Sequence, residues 1–235
     1  MTKQEVHARI EEIGIIAAVR ERSKQNALFA AEAAFDGGIP IVEIALTVPG
    51  ETIPGETELI SHLAEKHTQL LVGAGSVLNV TAAQACLDSG AQFLTCDGPN
   101  HALVEFAAQK GVVVFPGALS PGEVIAAWES GCDFVKVVPC ACIGGETYIE
   151  SLHKMFPHIP LIAAGGVSQT SASKYILAGA VALGIGGGLF PSRAIRNQDA
   201  NQIHELARRL VAFVKGGREG QDLPRMDGGS MKLPE

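Results

Sequence analysis

The chain of 235 residues is expected to fold as a (β/α)8 barrel preceded by an N-terminal helix. Three observations predict this. Short apolar runs of β-rich composition recur along its length, with segments rich in Ala, Leu, Glu and Gln between them. Several of those segments end in glycine, as in "FDGG", "LDSGA", "AQKGV", "ESGC" and "LAGA", and the next apolar run begins within a few residues. A hydrophobic fraction of 47% and 27 glycines suit a large core joined by tight turns.

The apolar runs are eight: "IIAAVR" (15–20), "IVEIAL" (41–46), "LLVGAG" (70–75), "FLTC" (93–96), "VVVFPG" (112–117), "FVKVVP" (134–139), "LIAAGG" (161–166) and "VALGIGG" (181–187). A repeat of strand, helix and glycine implies parallel strands with right-handed crossovers, and eight such units close into a barrel. Gly37, Gly90, Gly111, Gly131 and Gly179 are the expected left-handed helix stops. An open doubly wound sheet is the competing architecture. It calls for G-x-G-x-x-G after the first strand, where this chain has "VRERSK". Residues 1–13 are expected to form a helix over the bottom of the barrel, 14–215 the barrel itself, and 216–235 a polar tail, mobile or draped on a neighbour.

A formal net charge of -7 and the lack of any basic stripe argue against nucleic acid as a partner, and Arg208–Arg209 reads as a solvated helix face. No segment approaches the ~18 consecutive apolar residues of a membrane span. "MTKQEVHARIEEIG" has helical spacing, unlike a signal peptide. Five cysteines without a C-x-x-C motif suit a reducing cytoplasm, and Cys140 and Cys142, without a second pair to complete a zinc site, read as small packed residues. The expected protein is cytoplasmic, without metal or cofactor.

Lys136 is the anomaly. It interrupts the apolar run from Phe134 to Pro139, and lysine is almost never fully buried unless paired. Barrel strands alternate between interior and helix layer, so an inward Lys136 takes Phe134 and Val138 with it. Glu43 is the matching oddity on the second strand, sharing its side with Ile41 and Ala45. A purely structural ion pair would contribute little once desolvation is counted, and the top face of such a barrel carries the active site. Low dielectric favours a neutral amine, which can attack a ketone. The resulting imine is an electron sink that allows a neighbouring C–C bond to break, with a carboxylate moving the protons. Lys136 and Glu43 together predict a class I aldolase needing no metal. "AAGGVSQTSASK" and "GIGGGLF" leave the seventh and eighth strands, where this fold usually cradles phosphate.

Taken in order, "VEIALT", "GAGSVLN", "GAQFL", "FPGALSPGE", "FVKVVP", "AAGGVS" and "GIGGGLF" resemble the 2-keto-3-deoxy-6-phosphogluconate (KDPG) aldolase family, over roughly residues 10–215. That family includes 4-hydroxy-2-oxoglutarate (KHG) and 2-keto-3-deoxy-6-phosphogalactonate aldolases. The resemblance implies a Schiff base on Lys136, proton transfer by Glu43, and cleavage of KDPG to pyruvate and glyceraldehyde 3-phosphate. It also implies that Ser76 and Arg20 bind substrate, that Gly165, Gly166, Gly186 and Gly187 cradle phosphate, and that the chain assembles as a homotrimer.

Several positions depart from the family pattern. Thr47 stands where an arginine binds substrate, followed by about five inserted residues in the 48–56 loop, and a neutral hydroxyl cannot replace a forked charge. "TCDGPN" replaces "SPG", adding the negative charge of Asp97 near the mouth. "VVPCACIGG" lacks a glutamate, Ala164 replaces a common Thr, and Gly188 a common Ser. These changes leave Lys136 and Glu43 in place and alter the substrate rim. A Schiff-base lyase or dehydratase for another keto acid, phosphorylated or not, therefore stays open, as does a silent ligand-binding trimer.

Overall fold

The computed structural model of the chain describes residues 1–48, 51–52 and 55–220. α1 (Lys3–Ile13) opens with a capping box: the Thr2 hydroxyl accepts from the Glu5 N–H, and the Glu5 carboxylate accepts from the Thr2 N–H. The chain then alternates through β1 (Ile15–Val19), α2 (Lys24–Asp36), β2 (Ile41–Ala45), α3 (Glu56–Lys66), β3 (Leu71–Gly75), α4 (Val80–Asp88), β4 (Phe93–Thr95) and α5 (His101–Lys110). It continues with β5 (Val113–Phe115), α6 (Pro121–Glu129), β6 (Val135–Val137), α7 (Gly145–Met155), β7 (Leu161–Ala164), α8 (Ala172–Leu177) and β8 (Ala180–Ile185). α9 (Ser192–Arg196) and α10 (Ala200–Arg218) end the described chain.

The strands are parallel and pair in the order β5-β4-β3-β2-β1-β8-β7-β6. A further segment, Gly117–Ala118, lies beside β6 and continues β5 beyond Pro116. Proline has no N–H to give, but the Pro116 carbonyl accepts from Lys136 and that of Val114 from Asp133, so β5 meets β6 and the ring of eight closes. This is the (β/α)8 barrel expected from the repeat.

Three details differ from expectation. Of the five predicted left-handed glycines, Gly37 has φ −75°, and its neighbour Gly38 turns the chain at φ +100°. Gly37 is small for another reason: a Cβ there would lie 2.6 Å from that of Ala207 on α10. Residues 216–218, expected in the tail, are the last turn of α10, while 221–235 lie outside the described residues. Thr47–Val48 pairs antiparallel with Glu51–Thr52 in a small hairpin after β2, with the rest of the inserted 48–56 stretch up to residue 54 outside the described part. Among the described residues no helix is long and apolar enough to cross a membrane.

Period-two alternation sorts the strand side chains. Ile15, Ala17 and Val19 face the helices, whereas Ile16, Ile41, Leu71, Phe93, Val113, Phe115, Phe134, Ile162 and Ala182 fill the barrel interior. Val6 and Ile10 of α1 join that interior cluster and seal its lower end. Phe134 is fully buried, stacks on His7 of α1 at 4.3 Å and meets Phe115 edge-on at 6.0 Å. Phe134→Ala should therefore lower stability by about 3–5 kcal/mol, measured by urea unfolding, since the closed ring cannot collapse onto the void.

Candidate active site

Above the aromatic layer the inward positions become small or ionisable. Ala18, Glu43, Lys136, Ala164 and Gly184 surround a cavity of about 610 Å³ that opens at the C-terminal ends of the strands. Lys136 projects into it from β6, its side chain 4% exposed. Val138 lines the same cavity and Phe134 the layer below, as alternation requires.

The lysine is not alone. Its Nζ donates to the Thr95 hydroxyl at 2.9 Å and to Asp97 Oδ1 at 2.9 Å. Glu43 Oε1 stands 3.9 Å away, in ion-pair range but beyond a hydrogen bond. Glu43 is as buried as the lysine, and Gly75 on β3 makes its position possible: a Cβ there would lie 2.1 Å from Glu43 Oε1. Glu43, the partner expected from the sequence, is the more distant carboxylate: Asp97 is closer, and Thr95 is a further partner that the sequence pattern does not single out. The alternation that placed Phe134, Lys136 and Val138 inward also applies to "FLTCD", where Phe93, Thr95 and Asp97 share a side.

Asp97 is also the hub of a second set of contacts. Its Oδ2 accepts from the Ser76 hydroxyl at 2.5 Å and lies 3.4 Å from Arg20 Nη2, which also donates to Ser76 Oγ at 3.0 Å. Arg20 follows β1 and lines the cavity, whereas Ser76, just after β3, reaches it through Arg20 and Asp97. Ser76 adopts φ +53°, a left-handed conformation uncommon outside glycine, and is 2% exposed. The turn directs its hydroxyl at Asp97 in place of continuing the strand.

Beyond the ends of β7, which pairs with the lysine strand, and of β8 next to it, Gly165, Gly166, Gly186, Gly187 and Gly188 line the cavity wall with Ser168 and Ser192. Gly165 and Gly166 have φ +78° and +92°, and side chains there would meet Pro139 and Ala141 at 2.7 and 2.4 Å. Gly187 faces open space. Thr47 lies in the hairpin after β2, and its side chain falls outside the described part of the structure. Cys140 and Cys142, expected to pack alike, separate on a 3-10 turn: Cys140 is buried and Cys142 exposed.

Burial of Asp97 would raise its pKa, but the Lys136 charge, the hydrogen bonds from Ser76 and Lys136 and the Arg20 charge outweigh it, holding the carboxyl at about 2. Its pKa is thus below the ordinary 3.8, so the stability it contributes is fully present above pH 3.8 and is lost as pH falls through about 2. Carbon-13 NMR should find Asp97 titrating near 2, with the midpoint moving up toward 3.8 in Lys136→Met.

Comparison with known proteins points to one family. The family model for KDPG and KHG aldolase matches residues 6–206. The 2-dehydro-3-deoxy-phosphogluconate aldolase of Treponema pallidum is 27% identical over 205 residues, covering 87% of this chain and 95% of that protein. The 2-dehydro-3-deoxy-6-phosphogalactonate aldolase of Escherichia coli is 28% identical over 208 residues, again covering 87% and 95%. The crystal structure of the 2-keto-3-deoxy-6-phosphogluconate aldolase of Zymomonas mobilis ZM4 with 3-phosphoglycerate superposes with a TM-score of 0.78, at 24% identity, over 90% of this chain and 97% of that one. The chain belongs to the KDPG and KHG aldolase family and is a carbon–carbon lyase.

Proposed function

We propose that the protein is a class I aldolase in which Lys136 forms a Schiff base with a 2-keto-3-deoxy sugar acid and reversibly releases pyruvate and an aldehyde. The substrate in this reading is 2-keto-3-deoxy-6-phosphogluconate and the aldehyde glyceraldehyde 3-phosphate. The observation that carries it is one amine, 4% exposed, at the floor of a cavity with a buried carboxylate 3.9 Å away. Lys136 adds to the C2 ketone, and Glu43 supplies the proton that lets the carbinolamine lose water. In the imine, Glu43 takes the proton of the C4 hydroxyl as the C3–C4 bond breaks and its electrons move to nitrogen. Protonation of the enamine at C3 and hydrolysis of the imine return pyruvate and the free lysine.

Arg20 and Ser76 receive the substrate carboxylate in this scheme, as a guanidinium and a hydroxyl suit a planar anion. Gly165, Gly166, Gly186 and Gly187 form the wall beyond β7 and β8, where Ser168 and Ser192 add hydroxyls for a phosphate. The two curated relatives named above differ in substrate, gluconate against galactonate, at 27% and 28% identity, so identity does not separate these stereoisomers. Assembly as a homotrimer belongs to the same reading and is tested by sedimentation equilibrium.

Borohydride added with pyruvate should leave a reduced pyruvyl adduct on the peptide carrying Lys136 and none in Lys136→Ala. Glu43→Gln should lower kcat by roughly 10²–10⁴ for whichever of the KDPG, phosphogalactonate and 4-hydroxy-2-oxoglutarate substrates turns over fastest. A folded wild-type protein that yields no adduct overturns the Schiff base.

A further inference from the structure

Proton transfer in the proposed mechanism is assigned to Glu43, which leaves Asp97 without a part. Its placement is unusual. The carboxylate joins the lysine nitrogen to the two donors assigned to the substrate carboxylate: Oδ1 is 2.9 Å from Lys136 Nζ, and Oδ2 is 2.5 Å from Ser76 Oγ and 3.4 Å from Arg20 Nη2. A 2-keto acid bound to the lysine has nearly the same shape. Its carboxylate is bonded to the carbon that nitrogen attacks, so by ordinary bond lengths the nearer oxygen lies roughly 3 Å from that nitrogen. Two carboxylates cannot share these donors, because they would meet as like charges at contact distance.

We propose that Asp97 is an internal competitor for the substrate carboxylate, holding Ser76, Arg20 and Lys136 until an incoming 2-keto acid displaces it. The proposal rests on the Schiff-base reading for its substrate class and adds a specificity determinant to it. The local structure permits the exchange. Asp97 lies on the loop after β4 with its side chain 42% exposed, so solvent is open to it once displaced, whereas Glu43 at 5% has none. An ion-paired ammonium has no lone pair for a ketone; once Asp97 has been displaced, Glu43, 3.9 Å from the nitrogen, takes the ammonium proton, and it returns that proton when the carbinolamine loses water. A ligand without a carboxylate cannot take over the donors from Asp97 and leaves the lysine paired. Asp97 thereby selects for 2-keto acids over plain ketones and aldehydes.

The test uses lactate, which carries the carboxylate but no ketone. Calorimetry at pH 7 on full-length wild type, Asp97→Asn and Asp97→Ala should show lactate binding roughly fivefold tighter in both variants. The pyruvate concentration giving half-maximal borohydride trapping should fall by a similar factor. A residue that only braced the fold would weaken both when replaced. Equal or weaker lactate binding in a variant with a native circular dichroism spectrum overturns the proposal. Tighter lactate binding in a protein that never traps pyruvate would leave the competition standing and remove the Schiff base, so the two failures are distinct.

Discussion

The structure is organised around the problem of keeping an amine inside an apolar barrel. A charge taken out of water costs several kcal/mol unless it is paired and hydrogen-bonded, on the general scale for buried ions. Lys136 is answered from two other strands: Glu43 comes from β2, and Thr95 with the adjoining Asp97 from the end of β4. Each partner is brought into range by barrel closure, so chemistry and topology are coupled. An unclosed sheet would leave the ammonium with fewer partners than its three protons require.

Room for this cluster comes from what neighbouring strands omit. Gly75 yields its side-chain volume to the Glu43 carboxylate, and Gly73, one layer below, yields its own to the Phe93 ring, which a Cβ would approach within 2.2 Å. Small residues on β3 thus set both the aromatic floor and the acid above it. The lower barrel is packed with large side chains and the upper part hollowed out by small ones, and the line between them falls at the lysine. The cavity is a consequence of side-chain size along alternating positions.

Most of the architecture was legible in the sequence because it depends on local signals. The apolar runs, the glycine stops and the N-terminal helical spacing each reflect backbone preferences that neighbours hardly alter. The lysine and glutamate were legible for the opposite reason, as charges at positions the pattern reserves for apolar side chains. In the sequence Asp97 signals only extra negative charge near the mouth. It follows a strand of three residues, Phe93–Thr95, too short for alternation to announce itself, and its partners are far away in sequence. Gly37 misled for a related reason: an approaching helix demanded the small residue, and its neighbour made the turn. Long-range packing leaves no local mark.

The seal at the lower end of the barrel has a bearing on molecular traffic. With α1 and the aromatic layer closing one end, the cavity, among the described residues, opens at the strand C-termini. In the proposed reaction the aldehyde lies outermost and the pyruvyl group is tethered to the floor. The aldehyde must therefore leave before the imine is hydrolysed, and in the synthetic direction pyruvate must enter first. In that scheme the covalent tether sets the order, and the helix that stoppers the barrel, at the end farthest from the chemistry, reinforces it by leaving the bound pyruvyl group no exit below.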